Sequence, residues 1–141
     1  MDQNTLLVAE LRRDEGVRRR PYLDTVGKVS IGVGRNLDDV GLSEDEIELL
    51  LINDITRTVA DLDRHLPWWR GLSPVRQRVM VNMAFNMGIG TAERGLRSFR
   101  NTLTKIQAGD YEGAARGMAG SKWARQVGAR ATRLCQMMRE G

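Results

Sequence analysis

The sequence contains very few of the residues that build disulfide networks and metal sites. Its 141 residues include one cysteine, Cys135, and one histidine, His65. A single cysteine excludes an internal disulfide framework and most cysteine-based metal sites. A single histidine leaves no His-rich metal cluster and argues against a histidine-based catalytic triad.

Long apolar runs are also missing. The start of the sequence, MDQNT, is polar, and its longest early apolar run, Leu6 to Ala9, is too short for a signal peptide. No stretch approaches the ~20 apolar residues that a membrane-spanning helix needs. We therefore expect a soluble chain, cytoplasmic on synthesis, without stable membrane insertion. No internal repeat, low-complexity segment or linker divides it, so residues 1–141 are expected to form a single domain.

Charge of one sign is in modest excess. The formal net charge is +4 and the pI is near 9.8, which favours a polyanionic partner such as nucleic acid, anionic lipid or bacterial wall polymer. The sequence has no RNA- or DNA-binding motif with the required aromatic or helix signature. We therefore expect no nucleic-acid partner.

Helical spacing places one acidic residue where an ionised carboxylate is poorly accommodated. Residues 5–15 carry an apolar stripe of Leu7, Val8 and Leu11, and Gly16 stands where helices commonly end. Four residues beyond Leu11 the same stripe reaches Glu15, which is predicted to be on the buried side of the last turn. Burial and the negative helix end both disfavour the ionised form. The alternative is an ordinary exposed acid at a frayed helix end.

The following segment, Tyr22 to Gly34, has the pattern of a β-hairpin. Residues 25–28 supply the turn, with Gly27 available for a positive φ. Beyond the turn, alternation predicts one apolar face and a second face with room for a ligand; the first carries Val29, Ile31 and Val33, the second Ser30, Gly32 and Gly34. Asp24 and Ser30 flank the turn, so a carboxylate and a hydroxyl border the glycine-lined face.

Two carboxylates in unlike environments suit the cleavage of a glycosidic bond. One acid must stay protonated to donate to the leaving oxygen, and Glu15 fits this role. The other must stay ionised, to steer a water or to stabilise positive charge on the sugar, and Asp24 fits it. Ser30 could orient the attacking water.

These residues resemble a known family. Asp-Glu-Gly at 14–16, Tyr-x-Asp-Thr-x-Gly at 22–27 and Ser-Ile-Gly-x-Gly at 30–34 are similar to motifs of the phage-type lysozymes, endolysins that cut bacterial peptidoglycan. The segments at 82–88, 99–103 and 121–123, followed by Arg130-Ala131, resemble the family in its order. The resemblance implies an α+β, mainly helical, lysozyme-like fold, in which a long helix joins a small β-hairpin lobe to a larger helical lobe.

The helix signals support this fold independently. A capping box at 43–46 predicts the start of a long helix, and Ser73-Pro74 predicts the start of another. From Val79 to Met87 only Asn82 and Asn86 are polar, as in a central buried helix. Apolar stripes predict further buried positions: Ile47, Leu51, Ile55, Val59 and Leu62 on the long helix, Leu96, Phe99, Leu103 and Ile106 on one ending near Gly109, and Ala131, Leu134, Cys135 and Met138 on the last.

The resemblance also implies roles for individual residues. Glu15 matches the general acid, Asp24 the second carboxylate and Arg130 a basic residue that pairs with the catalytic glutamate. Cleft positions that contact sugar or peptide are matched by Phe85, Asn86 and Thr102. Each has a plainer alternative: Arg130 as a surface arginine, Phe85 as core, Asn86 as a partner of nearby backbone, and Thr102 as a packing or capping residue.

Four positions depart from the family pattern. Ser30 replaces the usual threonine, which keeps the hydroxyl but loses the methyl that restricts its rotamer. Arg35 stands where histidine is common, so a salt bridge is expected to be rearranged. Gly128 replaces a frequent proline and should loosen the loop that delivers Arg130. Gly117 replaces a polar cleft residue and removes one sugar contact.

The leading hypothesis is a muramidase that cleaves between N-acetylmuramic acid and N-acetylglucosamine, by inversion, in bacterial lysis by a phage. It needs no metal or organic cofactor, and we expect a monomer. It would stay in the host cytoplasm until a separate holin-type protein lets it reach the periplasm or cell wall. Two alternatives are a lytic transglycosylase, which uses a glutamate alone, and a non-catalytic wall-binding module.

Overall fold

The computed structural model describes residues 2–141, which fall into two compact units, Met1–Leu49 and Leu50–Gly141. The described residues contain seven α-helices and one three-stranded antiparallel sheet, which confirms the predicted α+β, mainly helical class. In chain order the elements are α1 Gln3–Glu15, β1 Arg18–Leu23, β2 Val29–Gly32, β3 Arg35–Asn36, α2 Glu44–His65, α3 Pro74–Met87, α4 Arg100–Gln107, α5 Tyr111–Ala119, α6 Lys122–Val127 and α7 Ala129–Glu140.

The first unit contains the predicted hairpin and a strand that was not predicted. Strands β1 and β2 pair antiparallel with Tyr22 opposite Ser30, and the short β3 adds to the other side of β2. Pro21 lies inside β1, which an edge strand tolerates because a ladder hydrogen bond is not required on its free side. The predicted alternation stops early because β2 ends at Gly32, whose φ is +68°.

Helix α2 begins as its capping box predicts. The Glu46 amide donates to Ser43 Oγ at 3.2 Å, and the Ser43 amide donates to Glu46 Oε1 at 2.9 Å. The helix then continues across the boundary of the two units to His65. The long helix is therefore confirmed. The burial predicted for its stripe is wrong over the first three turns, because Leu62 is buried but Ile47 and Leu51 are 47% and 41% exposed.

The core of the second unit gathers around α3. Ser73 caps this helix by accepting from the Arg76 amide, and Pro74 takes the first helical position, as predicted. The predicted central helix buries one side only: Val79, Met80, Met83 and Ala84 are buried, whereas Phe85 and Asn86 are exposed. This side packs in one hydrophobic cluster with residues of α2 and α4–α7.

The remaining helices complete that core. The segment predicted as one helix from Leu96 is a short 3-10 turn, Leu96–Ser98, followed by α4, and it ends before Gly109 as expected. Helices α5 and α6 were not predicted. On α7 all four residues of the predicted stripe are buried, so this helix is confirmed together with its orientation.

Candidate active site

Glu15 is the last residue of α1. Gly16 ends the helix with φ 77°, and its amide donates to the Arg12 carbonyl at 3.0 Å. Glu15 is exposed, so its predicted burial is wrong. The reason is that nothing in the first unit covers the stripe: Leu7 and Val8 are 49% and 53% exposed, and no residue of α1 is buried.

The Glu15 side chain lies directly against Gly34. A Cβ atom built on Gly34 would be 3.0 Å from Glu15 Oε2 and 3.3 Å from its Cδ, so the carboxylate occupies the space that a side chain would need. Gly34 has φ +69°, a conformation that favours glycine on its own account. Among residues 2–49 no hydrogen bond reaches the Glu15 carboxylate. Its oxygens are therefore placed by contact with backbone and remain available to an external partner.

Asp24 closes the hairpin turn. Its amide donates to the Lys28 carbonyl at 2.8 Å, and its Oδ1 accepts from the amides of Val26 at 2.9 Å and Lys28 at 2.8 Å. Gly27 has φ +84°, as predicted for this turn. Two bonds on Oδ1 fix the orientation of the half-buried carboxylate, while Oδ2 accepts no hydrogen bond from residues 2–49. Asp24 thus shapes the turn and keeps one oxygen without a hydrogen bond in that range.

Ser30 lies in the middle strand of the sheet. It is opposite Tyr22 of β1 and Asn36 of β3, and only 3% of it is exposed. Directly paired residues of antiparallel strands point to the same face, so Ser30 shares a face with Tyr22. Asp24 directly follows the last residue of β1, Leu23, at the start of the turn. Glu15, Asp24, Ser30 and Gly34, which we call the first-unit site, therefore lie in or beside the hairpin; their predicted roles stay predictions.

Arg35, which departs from the histidine of the family pattern, follows Gly34 directly and forms a salt bridge with Glu46. Its Nη1 lies 2.7 Å from the Glu46 carboxylate and 3.1 Å from the Gly41 carbonyl. The hydrogen bond from Arg35, then those from the Ser43 amide and hydroxyl, lower the pKa of Glu46 to about 2. This carboxylate is therefore ionised throughout the ordinary pH range.

Phe85 and Arg130 line one groove of the second unit. The groove has a volume of about 670 Å³ and is lined mainly by apolar residues, with Leu51, Ile55, Trp69, Pro74, Gln77, Arg78, Val81 and Asn82 completing it. Phe85 is 41% exposed, so the alternative that made it a core residue is wrong. Arg130 is half-buried and donates from Nε to Asn82 Oδ1 at 2.9 Å. Its predicted pairing with the catalytic glutamate stays a prediction.

Asn86 supports a neighbouring helix. Its Oδ1 accepts from the indole Nε1 of Trp123 at 2.8 Å, and Trp123 packs edge-to-face on Phe99 with ring centroids 6.2 Å apart. The plainer alternative of a bond to nearby backbone is replaced by this bond to a side chain. The predicted contact of Asn86 with sugar or peptide stays a prediction.

Thr102 and Gly117 fit together. Thr102 is buried on α4, as its packing alternative expects. A Cβ atom built on Gly117 of α5 would lie 2.5 Å from Thr102 Oγ1. The hydroxyl of one helix therefore fills the space left by the missing side chain on the other. The predicted contact of Thr102 with substrate stays a prediction.

Gly128 is a one-residue link between α6 and α7. Its amide donates to the Ala124 carbonyl at 3.0 Å, and its φ of +58° is out of reach for proline, whose ring fixes φ near −65°. The loop expected here is a single residue, because α7 begins at the next one, and the expected loosening stays a prediction. Glycine here permits an abrupt change of direction two residues before Arg130.

Two residues that hydrogen-bond residues singled out in the sequence were not predicted to have that role. Asn82, which holds Arg130, was visible only as a polar residue within an apolar helix. Glu46, which holds Arg35, was recognised only as part of the capping box. Both roles depend on partners 48 and 11 residues away, and no local pattern encodes such distances.

Two structural features are absent from residues 2–141. These residues contain no group of three or more His, Cys, Asp or Glu side chains that could hold a metal ion. In the same range, no helix combines the length and apolar character needed to cross a membrane.

Comparison with known proteins identifies the family of this protein. Residues 12–139 match the family model described as Phage lysozyme. Since this match covers most of the chain, the protein belongs to the phage lysozyme family, a family of peptidoglycan hydrolases. The predicted family and the lysozyme-like fold are thereby confirmed.

Individual relatives come from a phage and from a eukaryote. The chain is similar to the pre-baseplate central spike protein Gp5 of Enterobacteria phage T4, with 30% identity over 169 residues that cover 99% of this chain and 29% of that protein. It is also similar to probable T4-type lysozyme 1 of Dictyostelium discoideum, with 24% identity over 160 residues that cover 93% of this chain and 92% of that protein. The chain thus spans less than a third of the spike protein and nearly all of the second relative.

Proposed function

We propose that this protein is a muramidase that hydrolyses the bond between N-acetylmuramic acid and N-acetylglucosamine in peptidoglycan. The observation that carries the proposal is the Glu15 carboxylate resting on Gly34, beside the hairpin that presents Asp24 and Ser30. Family membership supplies the general reaction, and this arrangement supplies residues suited to perform it.

In the proposed mechanism, Glu15 donates a proton to the glycosidic oxygen as the bond breaks. No group of residues 2–49 hydrogen-bonds its oxygens, so they are free to meet the leaving group. Asp24 Oδ2 stabilises positive charge on the sugar or steers a water, and the Ser30 hydroxyl orients that water. The water attacks from the face opposite the leaving group and gives its proton to the Asp24 carboxylate, which inverts the anomeric carbon.

The second unit is proposed to supply substrate contacts. Phe85 offers an exposed ring on the groove surface, where an apolar face can pack on a sugar ring. Asn86 and Thr102 keep the substrate-binding roles that the family resemblance gives them, and Arg130 keeps its supporting role. We propose that residues 1–141 work together as one catalytic domain.

We also propose that the protein acts as a monomer in bacterial lysis by a phage. It stays in the host cytoplasm until a separate holin-type protein permits its release. The mechanism calls for no metal or organic cofactor.

The test is mass spectrometry of sugar products from purified peptidoglycan. Wild type, Glu15→Gln and Glu10→Gln are compared, the last being a matched control because Glu10 is an exposed acid on the same helix. We expect reducing-end muropeptides from the wild type and from Glu10→Gln, and almost none from Glu15→Gln. Proton NMR of the first products should show the inverted anomer.

Other outcomes distinguish the alternatives. Anhydro-sugar products would replace hydrolysis by the lytic transglycosylase reaction. A folded wild type that gives no products but sediments with peptidoglycan would replace the enzyme by a wall-binding module.

A further inference from the structure

We infer that Arg35 and Glu46 are positioning residues for Glu15, acting through the backbone of Gly34. The inference rests on the proposed function, because it concerns the placement of the proposed general acid. Neither residue touches the reacting atoms. Their part is to hold the surface against which the Glu15 carboxylate lies.

Arg35 is held by two bonds from one nitrogen atom. Its Nη1 reaches both the Glu46 carboxylate at 2.7 Å and the Gly41 carbonyl at 3.1 Å. Glu46 belongs to the first turn of α2, and Gly41 precedes that helix. A single guanidinium nitrogen therefore ties the start of β3 to the start of α2.

The backbone position of Gly34 is fixed by its neighbours in the chain. Arg35 pairs with Ile31 across the sheet, and Gly34 connects this pair to the end of β2 through a tight turn. Gly34 has no side chain of its own to hold it in place. Its position therefore depends on β2 at one end and on the anchored Arg35 at the other.

The position of the Glu15 carboxylate depends on Gly34. Its Oε2 is 3.0 Å from the position of a Cβ on Gly34, and among residues 2–49 no hydrogen bond holds the carboxylate elsewhere. A shift of the Gly34 backbone must then be followed by the carboxylate. Misplacement by about 1 Å is enough to slow a reaction up to a hundredfold.

The capping role of Glu46 does not explain its bond to Arg35. Its carboxylate already accepts from the Ser43 amide at 2.9 Å, and Ser43 Oγ accepts from the Glu46 amide, so the helix is capped without Arg35. The two roles can therefore be separated experimentally. Ser43→Ala weakens the cap but leaves the Arg35–Glu46 pair, whereas Arg35→Gln removes the pair but leaves the cap.

The experiment measures kcat and KM on a soluble peptidoglycan oligosaccharide, together with Tm, for wild type, Arg35→Gln, Arg35→Lys and Ser43→Ala. We expect Arg35→Gln to lower kcat by roughly tenfold with little change in KM. Because both bonds come from one nitrogen, a lysine ammonium can replace them, so Arg35→Lys should recover most of the lost kcat. Ser43→Ala should lower Tm without lowering kcat.

A second readout does not depend on activity. The side-chain carboxyl ¹³C resonance of Glu15, assigned by its loss in Glu15→Gln, should move in Arg35→Gln and stay in place in Ser43→Ala. An unchanged resonance in Arg35→Gln, or a kcat that falls equally in Ser43→Ala, would overturn the inference. A wild type without glycosidic products would refute the proposed function instead, while the resonance still decides the positioning role.

Discussion

Gly34→Ala is the substitution that most directly probes the contact under Glu15. Two effects can be worked out from the structure. The φ of +69° is unfavourable for an L-residue by roughly 1–2 kcal/mol, which should appear as lost stability. The new Cβ would be 3.0 Å from Oε2 and 3.3 Å from Cδ of Glu15, closer than ordinary van der Waals contact, so the carboxylate must retreat by a few tenths of an ångström. Because the carboxylate is displaced, we also expect kcat to fall about tenfold.

The assay combines product release from peptidoglycan with urea unfolding, at a temperature where every variant is folded. Gly109→Ala is the matched control, because Gly109 has φ +84° and a Cβ there would have nothing within 4 Å. Both variants should lose similar stability, but only Gly34→Ala should lose kcat. Equal kcat in the two variants would refute the argument that Gly34 makes room for the general acid.

Two further predictions concern stability. Gly117→Ala should destabilise the protein by about 1 kcal/mol, because overpacking against Thr102 Oγ1 outweighs the gain in helix propensity. In a Thr102→Ala background this overpacking is removed, so the same change should become stabilising. Urea unfolding of the wild type, the two single variants and the double variant gives the sign in each background, and an unchanged sign would contradict the packing explanation. Hydrogen bonds from Arg70 and Trp69 lower the pKa of Asp63 to about 2, so its contribution is complete above about pH 4 and is lost as the pH falls through 2. The difference in unfolding free energy between wild type and Asp63→Asn should therefore shrink between pH 5 and pH 2. A difference independent of pH would contradict a stabilising role of the ionised Asp63 carboxylate.

Local signals predicted the elements that depend on neighbouring residues. The capping box at Ser43 located the start of α2, and the turn around Gly27 located the hairpin, because both rely on bonds between residues at most four apart in sequence. The stripe on α7 was also correct, since its four residues meet a core formed within the second unit.

Burial was less predictable than periodicity. The apolar stripe of α1 has the same spacing as that of α7, yet none of its residues is buried. A periodic pattern states which side of a helix can be buried, whereas a packing partner decides whether it is. The prediction for Glu15 failed for this reason, although the helix itself and its end at Gly16 were correct.

The sequence predicts residues for the candidate site, whose roles stay predictions, but it did not predict the contacts among them. Glu15, Asp24 and Ser30 could be proposed from chemistry and spacing. The contact of the Glu15 carboxylate with Gly34 depends on the path of the backbone through β2 and the following turn. This path is known only from the three-dimensional structure. The link from Arg35 to Glu46 likewise joins two local motifs that each looked complete alone.

The tryptophans are distributed unevenly, and this affects how the protein can be observed. Trp68, Trp69 and Trp123 all belong to the second unit, and the first unit contains Tyr22 as its single aromatic residue. Indole emission therefore monitors the region around α3 and α6, where Trp123 bonds Asn86. A fluorescence melting curve follows that region, while the hairpin that carries the proposed catalytic groups is optically silent to it. Placing a tryptophan at Tyr22 would give each unit its own signal.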